Sequence, residues 1–172
     1  MNHAPYDELV GGAFASLPDG VRRAHSFPLH ARGRIQVVRG SGLAGLVAGL
    51  FRLPRSGRDV DTRLQISADS GALVWTRHFD GRRVETRQWA EEGRLMEANG
   101  RLRVAFDLRT SDGQLVYESR AAWLGPFRLP IRWSPHLSAT VREAAGGWHV
   151  DVRIDHEVLG LLCRYYGIMR QV

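Results

Sequence analysis

Lysine is absent. All 24 basic side chains of the 172-residue chain are arginine, and together with abundant alanine and glycine this points to a GC-rich bacterial coding sequence. Much of the formal charge of +6 is then codon bias. The arginines are also dispersed among apolar or acidic neighbours, whereas a nucleic-acid footprint gathers its cations on one stripe; no nucleic-acid partner is expected. Cysteine occurs once, at Cys163, so no internal disulfide can form, and no Cys/His spacing suits zinc. That usage fits a reducing, cytoplasmic setting. Long apolar runs are missing: the longest, Leu43 to Leu53, falls short of the roughly 20 residues that a membrane span needs, and the N-terminal MNHAPYDELVGG has no basic region followed by an apolar core. The chain reads as soluble, with no membrane span.

Catalytic signatures are missing too. The seven histidines show no H-E-x-x-H or comparable spacing, and there is no G-x-S-x-G elbow. His25 in RRAHS and His156, between Asp155 and Glu157, are acid/base candidates that read first as surface or helix-end residues. No metal is expected, and whether the chain is an enzyme stays open.

What is present is pattern. The length fits one domain over 1–172 with a substantial core. Residues 5 to 24 carry Leu9, Val10, Phe14 and Leu17 at helical spacing until LPDG interrupts them, and DGVRRAH starts a further short turn. GRIQVVRG is a short strand. A second helix runs from about Ser41 to Leu53 and stops at Pro54, which has no N–H to continue it. Within this stretch Gly40-Ser41-Gly42-Leu43-Ala44-Gly45 fits the dinucleotide pattern G-x-G-x-x-G. A nucleotide-binding unit continues from its helix into a buried parallel strand and another helix. Here the period changes to 2 after Asp59, and at least seven amphipathic strands follow without a helix. The glycines therefore read as small residues that let an apolar helix pack closely, and no cofactor is expected.

Turn dipeptides Asp80-Gly81, Asp112-Gly113 and Gly146-Gly147 separate the alternating segments and set their registers. About Asp80-Gly81, Phe79 faces Arg82, Arg77 faces Val84 and Trp75 faces Thr86. About Asp112-Gly113, Leu108, Phe106, Val104 and Leu102 face Tyr117, Ser119, Ala121 and Trp123, with Asp107 set against Glu118. About Gly146-Gly147, Trp148, Val150, Val152 and Ile154 face Ala145, Glu143, Val141 and Ala139, with Arg142 meeting Asp151. Each hairpin then has one apolar face.

Two sets of side chains on those faces are binding candidates. Trp75, Arg77 and Phe79 put a guanidinium between two aromatics; an inward arginine needs an anionic partner, which is either a ligand carboxylate or phosphate or an internal acid such as Glu143. Tyr117, Ser119 and Trp123 offer hydroxyls and an aromatic surface to a small, mostly apolar ligand. The ordinary reading of both sets is a stacked, snorkelling arginine and a core tyrosine that satisfies its own hydroxyl.

The stretches LPDGVRRAHS, GSGLAGLVAGLFRLPRSGRDV, WTRHFDGRR, LGPFRLPIRWSP and VDVRIDHEVLGLLCRYYG, in this order, resemble the bacterial family called domain of unknown function 4166. Members often follow an NAD-binding reductase or saccharopine dehydrogenase-like domain, so the resemblance implies a reductase-type partner domain that would carry any dinucleotide site. It implies no activity and no catalytic residues.

The expected fold is mainly β (α+β): a strongly curved antiparallel sheet or barrel of lipocalin or fatty-acid-binding layout, with two N-terminal helices covering it or plugging one end. The alternative is a START-like helix-grip, in which VLGLLCRYYGIM is helical through Val158, Leu161, Leu162 and Tyr165. Three functions fit: a non-enzymatic module for a hydrophobic, anionic small molecule with the Leu43 to Leu53 helix as a lid, an accessory domain docking onto a reductase, and an enzyme without a recognisable motif.

Overall fold

From Leu29 onward most of the chain is strand. The computed structural model describes residues 3–172, so the first two residues of the N-terminal stretch discussed above lie outside the described residues. Three short helices, α1 (Tyr6–Val10), α2 (Gly12–Ala15) and α3 (Asp19–Ala24), lead into β1 (Leu29–Arg39) and then α4 (Gly42–Leu50). Ten strands follow: β2 (Gly57–Asp69), β3 (Ala72–Phe79), β4 (Arg82–Glu91), β5 (Arg94–Asn99), β6 (Leu102–Ser111), β7 (Gln114–Leu124), the two-residue β8 (Phe127–Arg128), β9 (His136–Ala144), β10 (Gly147–His156) and β11 (Gly160–Gln171). A single 3-10 turn, Ile131–Trp133, interrupts them.

All pairings are antiparallel, in the order β6-β5-β4-β3-β2-β1-β11-β10-β9-β7, and β6 pairs with β7, so ten strands close into a barrel with β8 hanging on β7. Closure removes the exposed strand edges of an open sheet. Alternation along each strand puts one set of side chains inside, among them Leu64, Ile66, Leu95, Phe106, Leu115 and Trp148, all buried.

The two ends differ. Helices α1 to α3 plug one of them, the floor: Pro18 sits against the β6–β7 turn at Gly113, and Glu143 of β9 accepts the Gly20 N–H at 3.1 Å, capping the start of α3. Glu143, an acid among apolar neighbours, thus has a structural task. The other end is the mouth, where α4, the β3–β4, β5–β6 and β10–β11 turns and the long β7–β9 connection gather, as follows from the alternating strand directions.

Several expectations need correction. The first helical stretch is three pieces, because Gly11 at φ +60° leaves helical geometry and Pro18 restarts the chain before α3. The second helix ends at Leu50, ahead of Pro54, since Arg52 turns left-handed at φ 56°. The C-terminal segment is strand β11, held between β1 and β10, and the helix-grip alternative falls. The Asp80-Gly81 register is as expected. About Asp112-Gly113 the pairing holds as far as Phe106–Ser119; then Ala105 pairs with Ala121, so Arg120 is an extra, bulged residue and every later side chain of β7 changes face. Leu102 accordingly meets Leu124, and Arg103 meets Trp123. The β9–β10 turn centres on Ala145-Gly146, which sets Trp148 against Glu143, Val150 against Val141 and Arg142 against His149. That slip of two residues preserves the faces. Asp107 beside Glu118 is neutralised by Arg94 and Arg120, which hold its carboxyl below the usual range.

Candidate functional site

Inside the barrel is a cavity of about 710 Å³, within the range of about 300–1,000 Å³ of small-molecule pockets. Its walls are unequal. On β1, β9, β10 and β11 they are mostly apolar, with Ile35, Val141, Val150, Val152 and Leu162, broken by Ser138 and His156 near the mouth. On β3, β4 and β5 the inward rows carry polar groups: Arg77, then Thr86 and Gln88, then Glu97.

Arg77 settles its geometry within this row. Its side chain is 16% exposed, its guanidinium carbon lies 4.8 Å from the centre of the Trp75 ring, and its Nη1 donates to Thr86 Oγ1 at 2.9 Å. The internal acid is Glu97, whose Oε1 lies 3.8 Å from Nη1, and the expected alternative partner Glu143 is engaged at the floor instead. Among the described residues, Nε and Nη2 of Arg77 have no hydrogen-bond partner in the protein. Glu97 in turn accepts from Gln88 Nε2 at 2.8 Å, and Gln88 Oε1 accepts from the Tyr6 hydroxyl. Phe79 completes the aromatic flank, edge-on to Tyr165 at 5.4 Å.

Beneath this row α1 and α3 set aromatic rings into the floor. His25 is buried at 1% exposure, packs on Tyr6 at 4.7 Å and Tyr117 at 5.9 Å, and shares a 2.8 Å hydrogen bond between Nδ1 and the Val21 carbonyl. Burial pulls its imidazole down to about 4. Burial likewise holds the Tyr6 and Tyr117 phenols well above their ordinary value. The Trp75 indole N–H is buried without an acceptor in hydrogen-bonding geometry, with the Tyr6 hydroxyl close by. Among the described residues no group of three metal-ligating side chains gathers here or elsewhere.

Trp75, Arg77, Phe79 and Tyr117 are therefore brought together in the cavity wall. Ser119 and Trp123 are not. The Ser119 hydroxyl is occupied by the Leu137 N–H at 2.9 Å, and the Arg120 bulge turns Trp123 outward between Arg103 and Arg128, whose guanidiniums lie 5.6 and 5.9 Å from its ring. Sequence reading missed Glu97, Gln88 and the interior position of His25. For the first two a signal exists: a turn at Glu92-Gly93 sets Arg94 against Glu91 and hence Glu97 against Gln88, one strand from Arg77.

The glycine motif of α4 lies at the mouth and precedes the antiparallel strand β2, without the parallel strand and second helix of a nucleotide-binding unit. Its small residues serve close packing, since a Cβ on Gly40 would lie 2.0 Å from the Leu161 carbonyl oxygen.

The family model described as Domain of unknown function (DUF4166) matches residues 17–169. The chain belongs to this family. The match takes in the helices α3 and α4 and every barrel strand up to Met169 of β11, so the cavity lies within the DUF4166 region, whereas Tyr6 of the floor precedes it. No curated protein and no solved structure matches the chain.

Proposed function

We propose that the domain, acting as one unit over 1–172, is a non-enzymatic binding module for a hydrophobic small molecule whose anionic head rests on Arg77. The observation that carries this reading is the cavity's asymmetry: mostly apolar walls on one side, and on the other the guanidinium of Arg77, its Nε and Nη2 unpaired among the described residues, in a row with Thr86, Gln88 and Glu97. A bidentate carboxylate suits such a fork. Glu97, at 3.8 Å and shared with Gln88, balances the charge while no ligand is bound and leaves Nε and Nη2 of Arg77 unoccupied. Proton-transfer chemistry fits less well, because His25 and the floor tyrosines titrate far from neutrality, where a general acid or base needs to be poised. No helix among the described residues is long and apolar enough to cross a membrane; the single buried Cys163 supports a cytoplasmic setting.

The test is a thermal-shift and calorimetric titration with straight-chain carboxylates and the matching alcohols. Carboxylates are expected to raise the melting temperature of the wild type and to lose that effect in Arg77→Met. Absence of any shift with every chain length refutes the reading. The accessory-domain alternative draws on a separate observation, the exposed apolar side chains around the mouth, and is the stronger one if the protein binds no amphiphile while a reductase domain protects those side chains.

A further inference from the structure

Helix α4 is built inside out. Its sequence GLAGLVAGL has no polar side chain; Ala44 and Ala48 face the barrel and are buried, while Leu43, Leu46 and Leu50, spaced for one helical face, are 68, 71 and 79% exposed. A helix at rest in water puts its large apolar residues inward. Across the mouth the β7–β9 connection repeats the pattern with Phe127, Ile131 and Trp133, and the β10–β11 turn adds Val158. Trp133 and Val158 also line the cavity, so this apolar ring surrounds its opening. Among the described residues the exposed large apolar side chains lie at this end, apart from Val172.

The charges of the same end are one-sided. Arg52 and Arg55 beside α4, Arg101 in the β5–β6 turn, and Arg128 and Arg132 near Trp133 are exposed and form no ion pair among the described residues. The acids Asp59, Asp61 and Asp155 are neutralised by Arg34, Arg63 and Arg153, which leaves Asp80 and Glu157 as the exposed acids here.

We infer that the mouth docks on the surface of an anionic lipid bilayer, with Leu43, Leu46, Leu50, Phe127, Ile131 and Trp133 dipping into the interface and the arginines meeting lipid phosphates. Apolar side chains with a surrounding set of cations are what interfacial binding requires. A protein docked on the same ring would stop the cavity, whereas a bilayer fills the ring and lets an amphiphile slide between acyl chains and barrel without crossing water. That transfer rests on the ligand-binding reading above; the docking does not.

Flotation with vesicles tests it, using phosphatidylcholine alone and phosphatidylcholine with about 30% phosphatidylglycerol. Wild type is expected to float with the anionic vesicles, to bind at least about tenfold more weakly to the neutral ones, and to be released by high salt. Leu46→Glu and the pair Arg52→Ser/Arg55→Ser should each weaken flotation by about tenfold or more. All three are surface positions, and an unchanged melting temperature verifies the fold. Binding of a fluorescent long-chain carboxylate in vesicle-free buffer, measured on the same variants, should be unaffected, so loss of docking and loss of ligand binding are read separately. Wild type that stays unbound with both vesicles overturns the inference. So does equal flotation of Leu46→Glu, and so does a dimer in light scattering that Leu46→Glu dissolves while vesicles remain unbound, since a second copy would then be the occupant.

Discussion

Replacing Arg77 by methionine removes a guanidinium while keeping most of its volume on the Trp75 face. At 3.8 Å the pair with Glu97 is worth about 4 kcal/mol of attraction at an effective dielectric of 20, most of it offset by desolvation of the two groups. The variant also loses the bond to Thr86, worth about 1 kcal/mol. Stranding a buried acid costs about 3–5 kcal/mol in general. Glu97 keeps its Gln88 donor and is 22% exposed, so a loss of about 2–3 kcal/mol is expected, below most of that range. Glu97→Gln retains an acceptor for Gln88, and the double variant Arg77→Met/Glu97→Gln should return to within about 1 kcal/mol of wild type, a coupling of at least about 1 kcal/mol. Urea titrations of the four proteins with matching m-values measure this cycle. The same cycle reads function: with Glu97→Gln the guanidinium loses its internal competitor, and long-chain carboxylates should bind about tenfold more tightly, an effect absent on the Arg77→Met background. Strictly additive single effects, or a Glu97→Gln protein that binds carboxylates more weakly, would refute the pairing and with it the role of Arg77 as anchor.

His25 gives a pH prediction with a definite sign. Its imidazole falls from 6.5 to about 4 on folding, so the unfolded chain takes up a proton that the fold refuses, and stability that is complete above pH 6.5 drops by about 3 kcal/mol as pH falls through this window to 4. His25→Gln should flatten that slope in denaturant titrations; an unchanged slope would show that the ring is protonated in place. In the core, Phe106→Ala should cost about 3 kcal/mol, the lower part of the 3–5 range because the ring borders the cavity, while the exposed Arg109→Ala should cost well under about 1 kcal/mol. Equal denaturation midpoints would mean that the faces of β6 are misassigned.

Much of the barrel is legible in local chemistry. Asp80-Gly81 takes φ values of 47° and 80°, the primed turn that such a dipeptide favours, and so Trp75, Arg77 and Phe79 are found on one face from sequence alone. The Arg120 bulge is different in kind. One unpaired residue carries no signature in the alternating pattern, yet it moves Trp123 from the interior to the surface. His25 was opaque for a third reason: its burial is created by Tyr6 and Phe14, which fold back over it from α1 and α2, and a helix-end histidine looks the same whether or not something covers it. Glu97 failed to stand out because an acid on an inward row reads as a pattern error until its cross-strand neighbour Gln88 is known.

The position of β11 has a consequence for how the molecule comes into being. This strand is wedged between β1 and β10, so the ring joins the chain's first strand to its eleventh. A chain emerging from the ribosome can form the hairpins from β2 to β7 as it goes, but it cannot close a wall around the cavity until residues near Gln171 are free. Pairings this distant in sequence make for slow folding and a period in which apolar faces are uncovered. A circular permutant that links the end of β11 to the segment before α1 and opens the Asp112-Gly113 turn keeps every strand on its neighbour while changing which wall is completed last.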